Sequence, residues 1–497
     1  MNVRVTKHKF ALIVFSFAAW LVLTVYYVAQ GDYQALVLWA ILPALFGGVF
    51  LVALRSGYVV LSMYMGVFCL LHSVLPPLFF IRRDRYTIYG WTAVKYFGFT
   101  LTEFAAIYWQ VFLIAIGVLC ASLLLHRWLF GQKTTVREFQ RIGADDPTPR
   151  PVRHGRRDSL MFTVMLVGMI TAAATLNNWM FQNGISLTGI QPPQLPFKLG
   201  GALHYLTRFG IPIIMFLFYM RTERPWPLEL LMLCYGFFAG FSQVSRQVYV
   251  MCLLPVVFFA LVDRRYVWAL VCSTLFLLCY PLIGAARQFV YDTSVGRATA
   301  NTYESVFHLI YMTVTNYNQW SVFGGLFGLL NRIDSPQGVI LASQFDPYAV
   351  GGPMSLFKKF FLLMGETDSV EWHREWIGVV LPEGFACGAN LTAKLMMISN
   401  GNWGGLLALC VLIAGFIVLG EVLVRAYVRT THNFIVGLGF ATVYTVFAYT
   451  LIGDKRLYGF IVMSVVVLLI LRSAASQHLC PAASSSPGTP RLTVCPK

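Results

Sequence analysis

Apolar runs of about the length that crosses a lipid bilayer recur along nearly the whole chain, and no other feature constrains its fold as strongly. They fall at about 10–29, 34–54, 57–80, 104–125, 159–177, 203–220, 228–243, 247–262, 267–284, 404–424, 434–452 and 457–471. At ~1.5 Å per residue, helices of this size cross or nearly cross a hydrocarbon core of ~30 Å. A backbone in that core finds no water, so each run must satisfy its own hydrogen bonds, and helix is the form that does so. The expected fold is all-α, a polytopic integral membrane protein with about 12 transmembrane helices. Composition agrees. Of 497 residues, 58% are hydrophobic and 12% charged, with a mean hydropathy of +0.67; a soluble domain carries roughly twice that charged fraction. The first run follows a basic amino end and imitates a signal peptide. It extends from Phe10 to Ala29 with no small-residue cleavage site after it, so it reads as a retained span.

The charges between the runs set an expected orientation. Arg4, Lys7 and Lys9 precede the first run, and Arg55 follows the second. The segment 126–157 holds eight basic residues against three acidic ones. Arg221 and Arg224, Arg264 and Arg265, and Arg425 and Arg429 mark later loops. With twelve spans all of these share one side, which by the bias of short cationic loops is the cytoplasm, with both termini there. Arg82, Arg83, Arg85, Lys455 and Arg456 then face outward, read as a second set of cations. Net charge is +16. In a soluble protein that would suggest nucleic acid. Here it lies in short loops, where it sets topology and attracts anionic lipid, so the bilayer is the expected partner and nucleic acid is not. The organisation reads as helices over 1–284 with a basic cytoplasmic loop at 126–157, a large outer loop with interfacial helices over 285–402, three closing spans over 403–472, and a small-residue tail over 473–497 expected to be disordered.

Chemistry-bearing residues gather on the outer side. Arg246, in Ser242-Gln243-Val244-Ser245-Arg246-Gln247, sits between two apolar runs, and Arg287 ends the next one. In this topology both lie at the outer face, where two bidentate cationic donors suit a lipid-linked diphosphate. The alternative is that each arginine snorkels to the headgroups. The loop 285–402 carries seven basic and nine acidic residues and is rich in aromatics, among them Tyr311, Tyr317 and Trp320. Those rings would stack on sugars or anchor the loop at the interface. Glu371-Trp372-His373-Arg374-Glu375-Trp376 packs acid, base, cation and aromatic together, and Glu383 lies beside a turn. Either could supply a general base, or the first could simply begin a solvated amphipathic helix. The ten cysteines include no C-x-x-C pair and the nine histidines no H-x-x-x-H pair, so no metal is expected. With no Walker loop, G-x-S-x-G or G-x-G-x-x-G, no cofactor is expected, and energy must arrive with the substrate.

Three of these features together resemble the O-antigen polymerase family, the Wzy-type polymerases of oligosaccharide repeat units. They are the Ser245-Arg246 step heading a span, the long outer loop late in the chain, and its closing stretch. That stretch runs from Gly388-Ala389-Asn390-Leu391 to Asn402-Trp403-Gly404-Gly405-Leu406 and enters a span ending Gly420-Glu421. The resemblance covers roughly 228–423. It implies a glycosyltransferase C-like membrane fold in the bacterial inner membrane, and transfer of a glycan from undecaprenyl diphosphate to a sugar hydroxyl at the periplasmic face. It implies no metal, so arginines would balance the diphosphate charge: Arg246 and Arg287. His373 or Glu383 would be the base, with Arg297, Arg374, Asn390, Trp372 and Tyr317 binding substrate, and a chain-length regulator as a possible partner. The O-antigen ligases share the architecture but typically carry a histidine before the returning span, where this chain has Gly388-Ala389-Asn390. A flippase of lipid-linked sugars would also suit twelve spans, but would be expected to show repeats and charges near the midplane.

Overall fold

A computed structural model describes residues 33–81, 87–88, 91–92, 101–145, 156–185, 199–219, 225–262, 264–292, 305–316, 352–361, 391–399, 402–431, 434–451 and 455–478, with Val25, Ala29, Pro196 and Tyr348 besides. The described body is helical apart from one two-residue hairpin, β1 (Thr87–Ile88) against β2 (Trp91–Thr92). In chain order the helices are α1 (Tyr33–Arg55), α2 (Val59–Ile81), α3 (Leu101–Phe130), α4 (Thr135–Asp145), α5 (Arg156–Gln182) and α6 (Leu199–Tyr205). A π-helical turn, Leu206–Gly210, joins α6 to α7 (Ile211–Tyr219). Then follow α8 (Pro225–Ser242), α9 (Arg246–Val262), α10 (Tyr266–Asp292), α11 (Val306–Asn316), α12 (Pro353–Phe361), α13 (Leu391–Ser399), α14 (Trp403–Thr431), α15 (Phe434–Leu451) and α16 (Lys455–His478).

Four helical stretches are long and apolar enough to cross a membrane: Ile107–Phe130, Leu199–Phe216, Tyr266–Arg287 and Trp403–Thr431. Seven shorter apolar stretches accompany them among the described residues. Helix boundaries depart from the apolar runs where charged or polar residues interrupt a run and the helix continues past them. Helix α3 runs on to Phe130, and α4 occupies part of the segment 126–157 expected as a loop. Helix α10 continues through residue 284 to Asp292, so the expected division there falls inside a helix. Helix α16 reaches His478, past the expected start of the tail at 473.

The helices pack in two groups. In the first, α1, α2, α3, α14 and α15 surround one large apolar core that includes Phe46, Tyr64, Phe68, Leu409, Ile417 and Tyr444. Gly420 allows α14 to approach α15 closely, since a Cβ there would meet the Tyr444 ring at 2.3 Å. In the second group α8 packs on α5, α9 and α10, and α11 lies across α8 and α10. A smaller core of Phe181, Phe241, Val244, Tyr249, Ile283 and Leu309 forms where the chain reverses between α8 and α9. Helix α9 touches α15, which joins the groups, and α16 packs on α14 and on the π-helical turn.

One end of this bundle holds the turns after α1, α3, α9 and α14. There Glu421 accepts the backbone N–H groups of Val59 and Val60 at 3.0 and 2.8 Å, capping the start of α2. Glu138 of α4 bridges Arg425 at 3.1 Å and Arg429 at 2.6 Å. Glu229 takes both arms of Arg265, at 2.9 and 2.5 Å. Gly420-Glu421 is therefore not the end of its span. The helix continues two more turns and more to Thr431, and the pair serves packing and capping.

Candidate functional site

The site lies at the opposite end, around the interruption between α8 and α9. Ser242 ends one helix, Arg246 begins the next, and Gln243, Val244 and Ser245 reverse the chain. A turn is normally exposed, because its backbone polar groups need partners. This one is buried: Gln243, Val244 and Ser245 are 1%, 3% and 5% exposed. Its amides are satisfied locally, with Ser245 N–H donating to the Gly240 carbonyl at 2.8 Å and Gln243 N–H to Ala239 at 3.0 Å. Val244 has φ of 47°, in the left-handed region that a β-branched side chain rarely adopts. Such a conformation costs of order 1–3 kcal/mol and persists only where the surroundings enforce it.

The enforcement comes from the Gln243 side chain. Its Nε2 donates to Asn177 Oδ1 on α5 and to Thr207 Oγ1 in the π-helical turn, each at 3.0 Å. Its Oε1 accepts from Arg208 Nε at 3.2 Å. Ser242 Oγ also donates to Asn177 Oδ1, at 3.2 Å. Asn177 Nδ2 donates to the Tyr235 hydroxyl at 3.2 Å, which donates in turn to the Thr207 carbonyl at 2.8 Å. That carbonyl belongs to the π-helical turn, whose wider ring breaks the regular ladder and leaves groups for side chains to satisfy. Arg208, in the same turn, is 1% exposed. One amide thus ties three separate stretches of chain together beside the break.

Arg246 heads α9 and leans towards α10. Its guanidinium carbon lies 4.4 Å from the centroid of the Tyr280 ring, a cation–π contact. Gly284, four residues further along α10, leaves the space that the guanidinium occupies: a Cβ there would come 1.6 Å from Nη2. Arg287 stands one turn beyond Gly284, on the same side of α10. The half-buried Arg246 and Arg287 therefore come to one end of two neighbouring helices. Arg287 does not close its helix, as its position at the end of an apolar run suggested, because α10 runs five residues further to Asp292. A guanidinium held against a ring, a second one turn away, and the positive end of α9 together make an arrangement suited to a doubly charged anion.

The other expected site residues, Arg297, Tyr317, Trp372, His373, Arg374, Glu383 and Asn390, lie outside the described residues. Asn390 immediately precedes α13. Among the described residues no three histidine, cysteine, aspartate or glutamate side chains gather as metal ligands would. A second buried polar cluster holds α13 to the first group: His72 Nε2 is 3.2 Å from Thr392 Oγ1 and 3.4 Å from the Tyr449 hydroxyl. The rings of Phe68 and Tyr108 stand 4.4 and 6.0 Å from the imidazole, and these apolar neighbours make this a packing site.

Sequence reasoning assigned no role to Arg208, Asn177 or Gln243. The signal for Arg208 was a single cation inside the apolar run 203–220, where charge is expensive without a use. For Gln243 it was a carboxamide three residues before Arg246, between two apolar runs. No family model, curated protein or solved structure matches the chain.

Proposed function

We propose that this protein polymerises oligosaccharide repeat units carried on undecaprenyl diphosphate, by glycosyl transfer at the periplasmic face of the bacterial inner membrane. The observation that carries the reading is the placement of Arg246 over Gly284 and Tyr280, one turn from Arg287, at the buried break between α8 and α9. In this reading twelve spans put both termini in the cytoplasm, and residues 285–402 face the periplasm. The acceptor sugar hydroxyl attacks the anomeric carbon of the donor glycan. The carbon–oxygen bond to the diphosphate breaks, and the lipid diphosphate leaves with the electron pair. Arg246 and Arg287 take up the charge that grows on the leaving oxygens, the kind of stabilisation that acts most strongly where water is excluded. The hydroxyl proton passes to a base, for which His373 and Glu383 are the candidates.

A deletion strain complemented with the intact gene tests the reading through its lipopolysaccharide. Lipopolysaccharide capped with single repeats in the deletion strain, and a full ladder on complementation, supports polymerisation. Complete loss of capping would assign the protein as a ligase instead, and lipid-linked units trapped on the cytoplasmic side would assign it as a flippase. Orientation is tested separately by cysteines placed at Asp346 and Gly143. Asp346→Cys should label from outside intact cells, and labelling of Gly143→Cys from outside would overturn the topology.

A further inference from the structure

The turn from α3 into α4 builds a surface that the glycosyl-transfer reading does not use. Around Gly131, Arg127, Trp128, Leu129, Lys133, Arg137 and Arg141 are all exposed, with Trp128 at 79%. Arg55 and Arg264 are exposed on turns at the same end. Of the carboxylates at this end, Glu138 bridges Arg425 and Arg429, Glu229 is buried against Arg265, and Glu421 caps the start of α2.

Helix α4 is fixed in place, so its outer face is defined. Thr135 and Phe139, one turn apart, are buried against the bundle. Thr135 Oγ1 accepts from Arg425 at 3.4 Å, and the Phe139 ring lies 6.1 Å from that of Phe434. Val136 N–H donates to the Gly57 carbonyl at 3.2 Å, tying α4 to the turn before α2. The remaining face presents Arg137 and Arg141, spaced four residues apart, together with Gln140. Immediately before the turn, α3 exposes Leu124, Trp128 and Leu129.

We propose that this face seats the phosphates of anionic phospholipids in the leaflet it lies against. Cations alone would attract any polyanion. Here they stand beside an exposed tryptophan and leucines at the end of a long apolar helix, where aromatic rings settle at headgroup level and cations meet lipid phosphate. The partner is therefore a lipid surface rather than a soluble polyanion.

The full-length protein in mixed-lipid nanodiscs, with spin-labelled phosphatidylglycerol or phosphatidylcholine as probe, reads this directly. Wild type should prefer phosphatidylglycerol, and the preference should fall as salt rises. In the triple variant Lys133→Gln, Arg137→Gln, Arg141→Gln the preference should drop by up to about fivefold per cation removed. Lys133→Arg, Arg137→Lys, Arg141→Lys should retain it, which separates loss of charge from loss of fold. An undiminished preference in the glutamine variant would overturn the proposal. So would inorganic phosphate abolishing the preference of wild type at matched ionic strength, because the face would then be a soluble-phosphate site.

Discussion

The chain turns in two different ways at the two ends of its bundle. At the cationic end the left-handed backbone positions include Gly57 (φ 73°) and Gly131 (φ 59°), where no Cβ objects, and the exposed Arg264 (φ 61°). Carboxylates there meet arginines or a helix start, as the half-buried Glu138 and the buried Glu229 and Glu421 do. At the break the left-handed residue is Val244, buried and β-branched, and the turn is held by an amide with three partners. An easy turn needs no such support. A strained buried turn surrounded by hydrogen bonds, with Arg246 as its next residue, is one whose geometry has to be kept. Irregular backbone at depth in a helical membrane protein is tolerated where it is buried in protein or lines a site. The comparison separates residues that close the fold from residues that hold Arg246 in place.

The largest expected effect falls on the space beside Arg246. Under the proposed function, Arg246→Ala should cut polymerisation by roughly 30- to 1000-fold, about 2–4 kcal/mol. Arg246→Lys should also impair it, because an ammonium cannot offer the two-pronged donor set of a guanidinium. Gly284→Ala is the more pointed variant. Its new methyl would fall 1.6 Å from Nη2, so the guanidinium must leave its seat against Tyr280. What has to move is the end of a flexible side chain, so the helices should still pack. A shortened repeat-unit ladder at normal membrane levels is expected. A full-length ladder from Gly284→Ala would mean that the position of Arg246 does not matter to the reaction.

Next is the amide itself. Gln243→Leu fills much the same volume but strips Asn177 Oδ1, Thr207 Oγ1 and Arg208 Nε of a partner at once. A buried polar group left unsatisfied costs about 1–3 kcal/mol. The variant should therefore unfold at a clearly lower temperature in detergent. Gln243→Glu keeps the acceptor for Arg208 and loses the donors, and should lie between the two. Equal melting of wild type and Gln243→Leu would show that the break holds its shape without the network.

How much of this could be read from sequence depended on whether a signal was local. The helical class and the positions of α1, α3, α10 and α14 follow from apolar runs, since a run carries its own backbone hydrogen bonds wherever it packs. Arg246 and Arg287 stood out as charges bordering apolar runs. Helix ends were less legible: Arg287 lies inside α10 because the polar pair Arg287-Gln288 interrupts the apolar run, while Phe289, Val290 and Tyr291 carry the helix on to Asp292. The Gln243 hub was not legible, because Asn177 and Thr207 lie 66 and 36 residues away in sequence and only packing unites them. Gly284 was equally silent. A glycine in a run announces nothing about which side chain lies across it.

The smallest effect should come from the cationic end. Glu138→Gln removes the charge that holds Arg425 and Arg429 but keeps an oxygen that can accept from both. Arg425 retains the Lys133 carbonyl at 3.0 Å and the face of the Phe130 ring, 3.8 Å from its guanidinium carbon. Arg429 is 66% exposed, where an ion pair contributes little. The expected cost is about 1 kcal/mol, and it should shrink as salt screens the pairs in the wild type. Repeat-unit ladders should stay full length, because Glu138 closes a turn at the far end from Arg246. Thermal melts of Glu138→Gln and Gln243→Leu, run side by side at low and high salt, put the two ends on one scale. If Glu138→Gln cost more than Gln243→Leu, or shortened the ladder, the division between a fold-closing end and a site-holding end would fail.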